Sequence, residues 1–226
     1  MRNRGDEECS RKVIVHNSIS LDGSLVHLDV NLPLHYQIAG KFHADLHLVG
    51  SNTAKHGIDT FLTEIPSETE EDFTKPTQEG LLWAIPDTTG KLHGLLHIFR
   101  QSEYCQDIVI LISETTPTDY VRYMTERAYD HYVVGEDKCN LKRALELLHD
   151  RYHVNTILTD TGCILSNLLI HQGLVSEISV LIHPVIVGKN AYHIFGTLEE
   201  KLNLELRRQE SLEKDYVWCV YQVQKL

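Results

Sequence analysis

No apolar run in the 226-residue chain approaches the ~20 residues needed to span a bilayer, so nothing in it reads as a membrane segment. The opening MRNRGDEECSRK has no apolar core of the kind a secretory signal carries. Residues 1–11 are expected to form a short frayed tail ahead of a single domain over 12–226. Cysteine is sparse. Cys9, Cys105, Cys139, Cys163 and Cys219 are scattered, odd in number and without a C-x-x-C, which points to reduced thiols and a cytoplasmic setting. Basic residues are in the minority: 21 Lys and Arg face 32 Asp and Glu, a net charge of −11. That balance argues against general binding to nucleic acid or to membrane surfaces. It also means that an anionic ligand must be held by local cations and backbone N–H groups against the overall repulsion. There is no internal repeat. What remains is the composition of an ordinary globular protein, long enough to bury a substantial core.

Histidine is the residue in excess, at fourteen. His43 and His47, His93 and His97, and His149 and His153 are each four apart, the spacing that sets two imidazoles on one helix face as a zinc pair needs. His47, however, falls in a β-like run, and no H-E-x-x-H or added carboxylate accompanies any pair. They read as surface or packed histidines, and no metal is expected.

The hydrophobic pattern alternates short β-rich runs with helical periods. Strands are expected at Lys12–Ser18, Ala44–Val49, Leu81–Ile85, Ile108–Ile112, Tyr132–Val134, Thr156–Leu158 and Ile178–Ile182. Helices are expected over Leu32–Phe42, Leu92–Phe99, Tyr120–Tyr129 and, most clearly, Leu141–Leu148, with another after Gly162 that stops at Gly173. Residues 62–80 are acidic, aperiodic and rich in Pro and Thr; they read as a solvated surface insertion, with a lid over the site as the other reading. Leu202–Leu206 and Val217–Val223 alternate without a helix between them, which implies antiparallel pairing. Strand-helix-strand order gives right-handed crossovers, and therefore an α/β fold with a mainly parallel sheet and helices on both faces. Ligands in such sheets bind beyond the strands' carboxyl ends.

The chain is organised around Thr159–Gly188, TDTGCILSNLLIHQGLVSEISVLIHPVIVG. A strand ends in a small-residue turn that opens directly onto a helix. The first N–H groups of that helix have no intrahelical partner and carry partial positive charge, so the turn is a ready phosphate site. An ordinary connection capped by Asp160 or a Thr has the same appearance. The stretch resembles the C-terminal reductase domain of riboflavin biosynthesis, a relative of dihydrofolate reductase. The resemblance rests on acidic Asp160, the turn Thr161-Gly162-Cys163, the run Gly173-Leu174-Val175-Ser176-Glu177 and the close Pro184 to Gly188. Two further stretches match: Ser20, Asp22 and Gly23 fit a Ser-x-Asp-Gly loop, and Gly50 to Thr53 fit a Gly-x-x-Thr cofactor loop. The chain departs from the pattern at Thr161, Cys163, Asp160, Ser176 and Gly57.

The resemblance implies a dihydrofolate-reductase-like mixed sheet with a C-terminal antiparallel strand pair, and NADPH-dependent reduction of a ribosylaminopyrimidine 5′-phosphate to its ribityl form. It places the substrate against Asn17, Ser20 and Asp160. It places the cofactor against Asp22, Gly50, Ser51, Asn52, Thr53, Thr88, Thr89, Gly90, Ser113, Thr161, Gly162, Cys163, Ile164 and Leu165. NADPH rather than NADH, and a homodimer, are implied by the family alone. The catalytic groups stay unassigned, since hydride transfer asks for positioning and electrostatics rather than an activated nucleophile. No H-x-E with P-C-x-x-C zinc signature is present, so the chain looks like a stand-alone reductase without the deaminase half. Two alternatives stay open: a reductase of the same fold acting on another substrate such as a pteridine, and a non-catalytic NADP-binding protein.

Overall fold

A computed structural model describes residues 11–77 and 80–224; residues 1–10, which carry most of the expected tail, lie outside the described residues. Nine strands share one sheet in the order β5-β4-β3-β2-β6-β1-β7-β9-β8. They are β1 (Lys12–Ser20), β2 (Leu46–Leu48), β3 (Leu82–Pro86), β4 (Ile108–Ile112), β5 (Asp130–Val133), β6 (Thr156–Thr159), β7 (Glu177–His183), β8 (Leu204–Ser211) and β9 (Val217–Val223). Every pairing from β5 across to β7 is parallel. β9 is antiparallel to both β7 and β8 and lies between them.

Parallel strands need crossovers, and six helices supply them: α1 (Leu32–Gly40), α2 (Ser51–Phe61), α3 (His97–Arg100), α4 (Thr118–Glu126), α5 (Leu141–Tyr152) and α6 (Cys163–His171). Alternation along the strands sends side chains to both faces. On β4, Val109 and Leu111 pack with α5 and α6, while Ile108, Ile110 and Ile112 pack with α2, α3 and α4. On β1, Val13 and Val15 join the first of these cores, and Ile14 packs on the other face with Ala39 of α1. β1 is therefore covered on both sides, and eight of its nine residues are buried.

The edges are where periodicity misleads. The strand expected at Leu202–Leu206 runs instead from Leu204 to Ser211, with a register shift between Leu206 and Arg208. It is the exposed last strand and is held by backbone bonds to β9 rather than by burial, so its charged second half shows no apolar alternation. The helical period over Leu92–Phe99 yields turns followed by the single short α3, although Leu92, Leu95, Leu96 and Phe99 are all buried. The segment 62–77 is anchored by its own side chains. Asp72 is buried and caps a 3-10 turn through Thr69. Glu68 forms a two-point ion pair with Arg127, and Lys75 pairs with Asp130. Asp130 begins β5, so this segment packs at the strands' amino ends, opposite the loops that follow β2 and β6.

Candidate active site

Two strand-to-helix turns meet at the carboxyl edge of the sheet. Gly50 follows β2 and caps α2; Gly162 follows β6 and caps α6. Neither helix has a side chain bonded to its first N–H groups. The two turns are stitched together: Gly50 N–H donates to Thr161 Oγ1 at 3.2 Å, Thr161 Oγ1 lies 2.9 Å from Thr53 Oγ1, and Gly162 N–H reaches Thr53 Oγ1 at 3.4 Å. A Cβ on Gly50 would sit 3.0 Å from Thr161 Oγ1, so the close approach of the turns depends on glycine there. A Cβ on Gly162 would meet nothing within 4 Å: the space in front of this turn is open.

That space is a cleft of about 440 Å³ lined by Gly50 to Thr53, Pro86, Thr88, Thr161 to Leu165, Leu168 and Tyr192. Among the described residues, no Lys or Arg lines it; Lys91 reaches its rim by bonding the side chain of Asn52. The first N–H groups of two helices face the cleft, the form of anion site that a protein of net charge −11 can offer without a cationic patch. A dinucleotide's diphosphate fits this donor set, and the apolar Ile164, Leu165, Leu168 and Tyr192 offer flat contact beside it.

Next to the cleft, on the face covered by α1, lies a row of buried polar groups. The Asp160 carboxylate takes His47 Nε2 at 2.8 Å on Oδ1 and His35 Nε2 at 3.5 Å on Oδ2. Burial pushes this carboxyl up; the charge of His47 and the hydrogen bonds from His35 and His47 outweigh it and hold it far below the usual carboxylate range. Asn17 Nδ2 donates to the carbonyls of Asp160 and Thr161, both at 3.2 Å, which pins the turn to β1. His35 is fixed in turn, with Ser18 Oγ 3.0 Å from its Nδ1 and the His16 ring stacked on it at 4.4 Å. His16 Nε2 donates to the His35 carbonyl at 3.3 Å, so its neutral tautomer accepts at Nδ1 from Ser179 Oγ, which also takes the Trp218 indole N–H.

This network predicts an acid limb in stability. Burial first, then the charge of His35, brings the His16 imidazole down to about 3 from an ordinary 6.5. Between those values the unfolded chain binds a proton that the folded chain refuses. Stability is therefore intact above pH 6.5 and falls as pH drops through the window between the two values. Asp160, displaced downward, adds a loss of the same sign at lower pH. Thermal melts from pH 7 to pH 4 should show the fall, and His16→Gln should flatten it.

Several sequence-assigned residues serve other contacts. Asp22 accepts from Ser20 Oγ at 2.6 Å and from the N–H groups of Gly188 and Val187 at 2.8 and 3.1 Å, bonds that bring its carboxyl down to about 2. Asp22 and Ser20 thus clamp the loop after β1 to the loop after β7 and do not line the cleft. Thr89 and Gly90 close a turn around buried Asp87, which takes the Lys91 and Leu92 N–H groups. Ser113 is buried among Thr115 and Thr116 at the end of β4. Pro86, Leu168, Tyr192, His35 and His47 are the side chains that sequence reasoning did not bring to this region. His47 carried a signal, a histidine in an apolar strand, but its four-residue spacing from His43 belongs to no shared helix.

Among the described residues, no cluster of His, Cys, Asp and Glu is arranged to hold a metal ion, and no helix is long and apolar enough to cross a membrane. The model of the RibD C-terminal domain matches residues 11–218. No curated protein sequence matches the chain. Among solved structures, a pyrimidine reductase-like protein of Corynebacterium diphtheriae superposes with a TM-score of 0.69 at 14% identity, over 95% of this chain and 92% of that one. RibD of Acinetobacter baumannii gives 0.68 at 15% identity, over 96% of this chain and 59% of its own. The riboflavin biosynthesis reductase of Saccharomyces cerevisiae gives 0.64 at 15%, over 97% and 92%. At these identities the structures show a shared dihydrofolate-reductase-like fold, and the family match runs through both glycine turns and Asp160. The chain belongs to the RibD C-terminal domain family, the reductase family of riboflavin biosynthesis.

Proposed function

We propose that the chain is the NADPH-dependent reductase that converts the ribosylamino group of a pyrimidine 5′-phosphate to ribitylamino. The observation that carries this reading is the joining of two helix N-termini in one open cleft beside half-buried Asp160, whose carboxylate is held by His47 and His35. Backbone N–H groups of Gly162 to Leu165 would hold the cofactor's diphosphate, with Ser51 to Thr53 opposite and Thr88 toward a ribose. Lys91, bonded to Asn52 at the rim, is a cation that could meet the phosphate that distinguishes NADPH from NADH. Reduced nicotinamide, when bound, supplies the hydride that reaches C1′ of the sugar. The chain supplies position: Asn17 fixes the turn, and Asp160 accepts N–H groups of the aminopyrimidine. Ser20 and Asp22 shape the neighbouring loop by clamping it to residues 187–188. A cytoplasmic homodimer acting on a small phosphorylated molecule, without nucleic acid or membrane, completes the reading.

Deuteride tracing tests the reading. Incubation with NADPH deuterated at nicotinamide C4 and the ribosylaminopyrimidine phosphate should place deuterium on C1′ of a ribityl product. Deuterium that stays on the nicotinamide, with cofactor binding intact, would contradict it.

A further inference from the structure

Asp160 is surrounded by groups drawn from distant parts of the chain, and two of them are imidazoles. His47 sits on β2 beside Trp83, with ring centroids 5.0 Å apart. His35 comes from α1 and is locked by Ser18 and His16. The side chains of His35, His47 and Asp160 are 8%, 7% and 13% exposed. The carboxylate is thus the more accessible member of a mostly buried polar set. A carboxylate offers about four acceptor positions, and the two imidazoles occupy two of them. A buried charge without partners is strongly disfavoured, so the imidazoles allow an ionised acid to persist here.

We infer that His47 and His35 are positioning residues for substrate recognition: they hold Oδ1 and Oδ2 of Asp160 and fix the plane of its carboxylate, so that its remaining acceptor sites take the amino N–H groups of the aminopyrimidine. This rests on the reading in the preceding subsection and deepens it. His47 makes the shorter contact and carries the larger share. Both imidazoles act through Asp160 and neither needs to touch the reacting carbon.

Steady-state kinetics with the ribosylaminopyrimidine phosphate, together with NADPH binding, provide the test. His47→Leu removes the donor and should raise KM for the pyrimidine about 10-fold or more, the loss expected for one charge-assisted hydrogen bond. NADPH affinity should stay within about 2-fold, since the cleft is lined by other residues. His47→Gln, whose amide nitrogen can stand where Nε2 stood, should restore KM, whereas the shorter His47→Asn should not. If His47→Leu does not fold, the Gln and Asn pair carries the same comparison. Asp160→Asn should be nearly as impaired alone as in combination with His47→Leu, because the histidine works only through the acid. Unchanged KM in His47→Leu or His47→Asn, or additive losses in the double variant, would overturn the inference while leaving the reductase reading intact. Wild-type protein that turns over no ribosylaminopyrimidine would overturn the reductase reading, and this inference with it.

Discussion

Gly162→Trp is expected to abolish NADPH binding while the protein stays folded. The backbone at Gly162 has φ −66° and ψ 177°, an extended conformation that any residue adopts, and a Cβ there meets no atom within 4 Å. The substitution therefore brings neither backbone strain nor a clash with the core. Its indole must enter the open space before the first turn of α6, where the proposed function puts the diphosphate. The N–H groups of residues 163–165 would be covered, and the anion would lose its best donors. A fall in NADPH affinity of about 100-fold or more is expected, against a melting temperature within a few degrees of wild type. Fluorescence titration and a thermal melt on the same sample check both halves. Gly50→Ala tests the contrast: its Cβ would press on Thr161 Oγ1 at 3.0 Å, so it should disturb the joining of the two turns as well as binding.

Arg100→Met should cost about 3–5 kcal/mol of stability, the range for removing one partner from a buried charge network. The Arg100 side chain is 3% exposed. Its guanidinium pairs with Asp107 at 2.9 and 3.3 Å and donates to the carbonyls of Asp72, Arg127 and Ala128 at 2.6, 2.7 and 2.9 Å. It also stacks over the Tyr129 ring at 3.8 Å. Methionine fills much of the volume but leaves Asp107 and three carbonyls without this donor. Arg100→Lys should rescue little, because one ammonium cannot reproduce a planar fork that serves four acceptor groups. Denaturant unfolding measures the loss. These bonds lie at the strands' amino ends, so NADPH affinity of the folded variant should be unchanged.

What could be read in the sequence follows from what is local. The parallel core was legible because β4 and β7 are apolar runs bounded by polar turns, and because α5 shows Leu141, Leu145 and Leu148 on one face. The two phosphate turns were legible as small residues between a strand and a helical period. The contacts that decide how the site works were not. His47 and Asp160 are 113 residues apart, and Asp22 finds its N–H partners 165 and 166 residues on. A motif gives an aspartate its place in the chain but not its partner. Asp22 reads as a ligand group from its motif, and the fold adds that its carboxylate also fastens two loops together. The histidine pairs show the converse: their spacing reads as surface or packed histidines, while the fold sets His47 of β2 against the carboxylate that follows the neighbouring strand β6. The second half of β8 was hidden because backbone pairing on an exposed edge leaves no hydrophobic period.

The most direct measurement is the loss of reduced-nicotinamide absorbance when the protein is mixed with NADPH and the diaminopyrimidinone ribosylamino phosphate. Oxidation that depends on the pyrimidine, is absent without it, and disappears in folded Gly162→Trp is the predicted result. Tight NADPH binding with no oxidation on addition of the pyrimidine would contradict the account.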